Sequence, residues 1–354
     1  MSEIKVNSIK GVSATTPAVT INNTDGTCTA NVTNRPNVNL IINGAMEIQQ
    51  RSSGTYTTIT NDYTGIDRYH VYANPASKLT YEPSTDSPTG FSNSFKITSS
   101  SAYTPTSGNY FYVGQRIEGN NWKHLEYGTS NAKTVTISFW VRSSITGTWS
   151  GIVKNSSQDR TFPWEYTISS ADTWEKKSVT VIGCPDGTWA TDDNDSAWIY
   201  FCIGSTTSGT TYLGSANSWQ SQNLIGTTGS NSLPNTNGAT WYMTGLQVEL
   251  GTQMTEFEYR TIGEELSLCH RYCNALLQYG TGDTNSNRIY NHSYAGGNGF
   301  AMHSIPRMID EPTITYQIYG GSIHADYSSN DRLAMFDQSD ENFYIYDVLC
   351  EAEI

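Results

Sequence analysis

The chain has 354 residues and a net charge of −13; 15% of its residues are charged and 12% aromatic, with 23 Tyr and 9 Trp. That length allows two or three domains with real cores, and the aromatic content excludes a disordered chain, which would be charge-rich and poor in large apolar groups. With no run of Lys or Arg to replace phosphate counterions, nucleic acid is not an expected partner.

The N-terminus, MSEIKVNSIKG, lacks the apolar region of a secretory signal, and no apolar stretch approaches the ~20 residues of a membrane span. The expectation is a chain made in a cytoplasm, soluble and without membrane insertion. Residues 1–37 are polar, rich in Thr and Asn, and show only short alternations at Ile4 and Val6 and at Val19 and Ile21. Such a segment buries too little to fold alone, so it is read as an attachment or self-association segment.

Residues 38–260 carry dense strand signals. YFYVGQRIEG places Phe111, Val113 and Ile117 on one face. TVTISFWVRSS places Val135, Ile137, Phe139 and Val141 on one face, with Thr136, Ser138, Trp140 and Arg142 on the other. This strict alternation predicts half-buried strands. SVTVIG repeats it with Val179 and Val181, whereas AWIYFCIGS is apolar on both faces and is expected to be a central strand. TWYMTGLQVELG is expected to align Tyr242, Leu246, Val248 and Leu250. Turn-rich gaps of Gly, Asn, Ser and Asp separate these runs, the pattern of an antiparallel sandwich of jelly-roll type.

TIGEELSLCHRYCNALLQYG breaks the pattern. Ile262, Leu266, Cys269, Cys273 and Leu276 share one helical face, Thr261 and Glu264 form a capping box, and Gly280 supplies a stop. The spacing predicts a helix over 262–279, within a linking segment 261–281, and no other long helix. Residues 282–354 return to short strands and are expected to form a small β-domain ending in a strand. The predicted class is therefore mainly β: an antiparallel jelly-roll sandwich with an extended N-terminal segment, one linking α-helix and a small C-terminal β-domain.

No GxSxG, HExxH, P-loop or GxGxxG motif is present, and no catalytic residue or cofactor is expected. His70, His124, His270, His292, His303 and His324 are scattered. Cys28, Cys184, Cys202, Cys269, Cys273 and Cys350 form no CxxC pair and are read as buried free thiols, including the Cys269, His270, Cys273 group on the helix. No metal site is expected, although Asp192, Asp193, Asn194 and Asp195 offer clustered oxygens of the kind calcium takes; a solvated turn is the plainer reading. Trp149, Trp164, Trp189 and Trp219 lie in or beside polar stretches. Aromatic rings in such places stack on sugars, and Trp164, Trp189 and Trp219 are the candidate glycan contacts. The alternative is that each closes an end of the sandwich core.

Several stretches, in order over residues 38–315, resemble one family. These are NLIINGAMEIQQRSSG followed by DRY, SFWVRSSITGTWSG, DTWEKKSVTV, ATWYMTGLQVELGTQMTEFEYRTIGEELSLCHRYC and IPRMIDEPTIT. They are similar to the bacteriophage tail fibre and minor tail proteins with a jelly-roll domain like a carbohydrate-binding module. The resemblance implies a virion component, usually trimeric, and transfers no catalytic residue. The expected protein is a homotrimeric tail fibre that is not an enzyme. Residues 1–37 would bind the tail or an adaptor, and the projecting domains would contact host cell-surface polysaccharide. Two alternatives stay open: a spacer without receptor binding, and a glycan-degrading phage enzyme.

Overall fold

Alternating apolar and polar side chains force extended segments to pair with one face inward, and the chain obeys this from its start. The computed structural model describes residues 6–9, 12, 19–21, 28–30, 39–51, 54–57, 60–106, 108–205, 212–275, 289–291, 299–319, 323–329, 332–337 and 343–353. Strands β1 (Ser8–Ile9), β2 (Val19–Ile21) and β3 (Cys28–Ala30) form a small antiparallel sheet. Val6, Ile9 and Val12 are exposed there.

The sandwich follows: β4 (Asn61–Tyr63), β5 (His70–Asn74), β6 (Leu79–Ser84), β7 (Ser94–Ser99), β8 (Tyr110–Glu118), the one-turn helix α1 (Gly119–Trp122), β9 (Val135–Ser143), β10 (Gly147–Asn155), β11 (Thr161–Ile168), β12 (Glu175–Val181), β13 (Asp195–Ser205), the short parallel pair β14 (Leu213–Gly214) and β15 (Gly226–Thr227), and β16 (Thr240–Leu250). A six-stranded sheet in the order β11-β10-β13-β8-β5-β4 faces a five-stranded sheet in the order β12-β9-β16-β7-β6, and every pair within both is antiparallel. Val135, Ile137, Phe139 and Val141 from one sheet meet Phe111, Val113, Ile199, Phe201 and Ile203 from the other, all but solvent-free. AWIYFCIGS is central as expected, with β13 held between β10 and β8.

β16 corrects one expectation. A bulge between Thr244 and Gln247 inverts the alternation. Trp241 and Met243 before it, and Leu246 and Val248 after it, are the core residues; Tyr242 faces away and Leu250 is exposed.

The helix is also shorter than its stripe suggested. α2 spans Ile262–His270, with the predicted capping box: Thr261 N–H donates to Glu264 Oε2 at 2.9 Å, and Glu264 N–H returns to Thr261 Oγ1. Ile262 is exposed and Cys269 buried. The chain then enters β17 (Cys273–Ala275), which pairs with the last strand, so the predicted helical run beyond His270 fails where a long-range strand partner wins. Residues 276–279 lie outside the described ones. β18 (Ile289–Asn291), β20 (Thr313–Tyr319) and β23 (Phe343–Glu351) complete that sheet, while β19 (Gly299–Ser304), β21 (Ile323–Ser329) and β22 (Arg332–Asp337) form another.

The two parts meet through a small second core, in which Ile42 and Ile48 of the sandwich pack with Cys269, Tyr272, Met308 and Val348. A buried ionic cluster lies beside it. Arg51 reaches Glu351 at 2.5 Å and Glu353 at 2.8 Å, Arg68 pairs with Glu353, and the Arg68 guanidinium lies 3.5 Å from the Tyr272 ring centre. Arg271 holds Glu118 with two bonds of 2.8 and 2.9 Å, and Tyr272 Oη adds a third at 2.9 Å. Burial acts to raise the Glu118 carboxyl, but bonds from Arg271, Tyr272 and Asn120 outweigh it and hold the group below the usual carboxylate range. Among the described residues, no helix is long and apolar enough to cross a membrane.

Candidate functional site: the outer face of the six-stranded sheet

Each strand of the six-stranded sheet has a second face, and on this sheet it is aromatic rather than merely polar. The register builds it in rows. Lys154 of β10, Trp198 of β13 and Arg116 of β8 lie directly side by side. The next row is Ile152, Tyr200, Gly114, His70 and Tyr63, and the one beyond it includes Cys202, Tyr112 and Tyr72. These positions alternate with the core residues Phe111, Val113, Ile199 and Phe201, so one set of strands supplies both layers.

Gly114 makes the middle row possible. A Cβ there would lie 1.9 Å from the Ile199 carbonyl oxygen and 2.7 Å from Tyr200 Cδ1. The missing side chain gives space to the Tyr200 ring, whose hydroxyl lies 3.1 Å from His70 Nδ1. Arg116 Nε donates to the same hydroxyl at 3.1 Å. Burial, then the charges of Arg116, Arg68 and Lys154, hold His70 down to about 3, so its imidazole is neutral. Burial pushes Tyr200 up to about 12, which keeps its phenol protonated. Arg116, Tyr200 and His70 thus form a hydrogen-bonded chain across the face.

The Trp198 indole lies between two cations, with the Arg116 guanidinium 4.3 Å and Lys154 Nζ 4.8 Å from its centre. Lys154 is buried and donates to Gln158 Oε1 at 3.2 Å and Asn223 Oδ1 at 3.0 Å. Burial, helped by Arg116, lowers its ammonium to about 7. At the opposite end, Tyr72 and Tyr110 stack with centres 4.8 Å apart and planes 11° from parallel, Tyr112 lies parallel beneath them, and Tyr212 leans on Tyr110 at 5.0 Å. Tyr72, Tyr110 and Tyr212 are half-buried; Tyr112 is buried.

The tryptophans expected to contact glycan sit elsewhere. Trp164 is on β11, not a loop, and is fully buried opposite Gly151, where a Cβ would fall 2.2 Å from its Cζ2. Trp149 is equally buried, on β10. Trp189 is 8% exposed and packs on Trp122, Tyr127 and Trp219; its Nε1 donates to the Asp186 carbonyl at 3.1 Å. Trp219 is half-buried, with Nε1 bonded to the Ile182 carbonyl at 2.8 Å. Trp164 and Trp189 therefore offer no ring face to a sugar. The correction has a simple cause: polar neighbours in sequence belong to turns, while strand pairing turns Trp164 inward and Trp189 folds onto Trp122, Tyr127 and Trp219.

In the acidic turn, the Asn194 side chain bonds Asp192 at 3.1 Å, Arg271 bonds Asp193 at 3.1 Å, and Trp198 Nε1 donates to Asp195. Among the described residues, no group of three or more His, Cys, Asp or Glu is placed to hold a metal ion. Cys184, Cys202, Cys269, Cys273 and Cys350 are buried free thiols, as expected; the Cys28 side chain lies outside the described ones. A cleft of about 460 Å³ at the junction is lined by Asp62, Tyr63, Asp310, Glu351 and Glu353 among others, and the last two carboxylates are already engaged by Arg51 and Arg68.

No family model and no curated protein matches the chain. Solved structures align weakly. The enzymatically active domain of tailspike protein 4 of bacteriophage CBA120 is 15% identical with a TM-score of 0.32, over 61% of this chain and only 22% of that one. The family 11 carbohydrate-binding module of a cellulosomal cellulase of Clostridium thermocellum is 13% identical with a TM-score of 0.27, over 57% of this chain and 98% of that one. TmCBM61, solved with β-1,4-galactotriose, is 12% identical with a TM-score of 0.29, over 60% and 99%.

Proposed function

We propose that the chain is a non-catalytic structural protein of a phage tail appendage that holds host surface polysaccharide on the outer face of its six-stranded sheet. The observation that carries the binding is the pair of half-buried, parallel rings of Tyr72 and Tyr110, with Tyr212 beside them. Flat apolar ring faces fixed on a sheet complement the apolar faces of sugars at little ordering cost. The setting comes from the sequence resemblance to tail fibre and minor tail proteins. Residues 1–37 attach to the tail or to an adaptor, and the exposed Val6, Ile9 and Val12 fit a segment completed by copies of itself in a homotrimer. Three linked weak sites gain ~10²–10⁴ in avidity over one.

The test is adsorption of the full chain to host envelope polysaccharide. The Y72A/Y110A double variant is expected to bind at least ~10-fold more weakly, as for two anchoring aromatics, with its melting temperature little changed. Undiminished binding refutes the site. Release of oligosaccharides by the unaltered chain refutes the non-catalytic reading, and a single copy per appendage in the particle refutes the trimer.

A further inference from the structure

Along β8, Arg116 stands about 20 Å from Tyr110, six residues at strand spacing, and about 13 Å from Tyr72, which is in register with Tyr112; that span is the length of a short oligosaccharide. Arg116 is half-buried, and its Nε is fixed by Tyr200. Among the described residues neither Arg116 nor Lys154 has an ion-pair partner. In a chain of net charge −13, two unpaired cations beside one indole are unexpected. The surrounding carboxylates are otherwise committed. Glu118, next but one on β8, is bonded by Arg271 and Tyr272; Glu353 is bonded by Arg68; and Asp195 accepts from Trp198.

We propose that Arg116 binds the carboxylate of an acidic sugar residue, so that the polysaccharide held on this face is a uronic-acid-type chain whose charged unit sits at Arg116 and whose neighbouring rings lie toward Tyr72 and Tyr110. This rests on the glycan reading above. A guanidinium presents two parallel N–H donors that match a planar carboxylate. With Nε held by Tyr200 and the plane held over Trp198, the terminal nitrogens of Arg116 are pre-oriented before ligand arrives. Lys154 acts behind it as a positioning charge. It does not touch the ligand, but its buried ammonium raises the positive potential at that end of the face. Asp195 acts on Arg116 only at a distance and accepts its hydrogen bond from Trp198, so no direct salt bridge holds either cation.

The experiment is calorimetric titration of the full chain with three probes: polygalacturonate, the same polymer after carboxyl reduction, and a neutral galactan. Polygalacturonate is expected to bind at least tenfold more tightly than its reduced form. R116Q is expected to remove that difference, and R116K to restore only part of it. K154M is expected to weaken polygalacturonate several-fold while raising the melting temperature, a combination that a merely structural lysine would not give. Equal affinity for reduced and unreduced polymer, or an R116Q variant that keeps the preference, overturns the acidic-sugar inference and leaves the glycan reading standing. Binding of none of the three overturns both.

Discussion

The pairing of Gly151 with Trp164 permits a quantitative test of the core that also bears on the site. The two residues are direct neighbours on β10 and β11. A methyl group at Gly151 would lie 2.2 Å from Cζ2, 2.5 Å from Cη2 and 2.7 Å from Cε2 of the indole, against ~3.5–4.0 Å for a relaxed carbon–carbon contact. The ring cannot retreat freely, because Phe139 and Phe201 lie 5.8 and 5.2 Å from it, centre to centre. G151A should therefore cost about 1–3 kcal/mol as overpacking. W164A should cost about 3 kcal/mol, at the lower end for a buried aromatic, because the buried indole N–H has no hydrogen-bond partner and its removal returns part of the loss. That corresponds to roughly 10 °C in melting temperature for a sandwich of this size. In the double variant the methyl group enters space the indole has left, so G151A/W164A should be no less stable than W164A. The cycle should then show about 1–3 kcal/mol of coupling, read by urea unfolding followed by far-ultraviolet circular dichroism. Additivity within about 0.5 kcal/mol would refute the packing argument. A W164A chain that melted normally but no longer bound polysaccharide would return Trp164 to the binding site.

Three further outcomes are expected. Lys154 is charged in both folded and unfolded chains below pH 7, so the cost of burying it is then present in full; above about 7 the folded side chain loses its proton while the unfolded one keeps it to roughly pH 10. Stability should therefore rise with pH across that window, and K154M should flatten the rise in a series of thermal melts. Glu118 shows the opposite sign: its folded carboxyl is held down, so its contribution is present above the unfolded value of roughly 4 and is lost as pH falls through the folded one. E118Q should cost about 1–3 kcal/mol at neutral pH and lessen acid sensitivity; equal acid sensitivity of the two chains would count against the Glu118 argument. T261A should cost about 1 kcal/mol, seen as faster hydrogen exchange confined to α2, and unchanged exchange there would show that the capping box contributes nothing.

Much of the fold is legible in the sequence because two-residue periodicity is a local signal. Val135, Ile137, Phe139 and Val141 alternate, and all four are buried. The parts that were not legible depend on partners far along the chain. The bulge in β16 moves Trp241 and Met243 inward in place of Tyr242, and nothing in TWYMTGLQVELG alone announces the extra residue. The helical stripe runs on in phase to Cys273, but Cys273–Ala275 finds Glu351, Cys350 and Leu349 as strand partners about 75 residues away, and the ladder prevails over local helix propensity. The candidate site divides the same way. Tyr110, Tyr112, Gly114 and Arg116 share the face of β8 opposite Phe111, Val113 and Ile117, so its aromatic character was readable once the core face was assigned. Its assembly with Tyr72, Trp198 and Lys154 was not, because register across four strands is a tertiary property.

The cationic end of the face is also where the sandwich joins the C-terminal part, and the two are mechanically linked. Arg68 donates to the backbone carbonyl of Arg116 at 2.8 Å while pairing with Glu353 and lying on Tyr272. Arg51 and Arg68 are 6% and 1% exposed, and they take their compensation largely from Glu351 and Glu353. Removing those carboxylates would leave buried charges unpaired, at a cost of about 3–5 kcal/mol for a broken buried pair. The joint therefore cannot swing open without exposing or stranding two guanidinium groups, and Arg68 ties it to strand β8 at the Arg116 backbone.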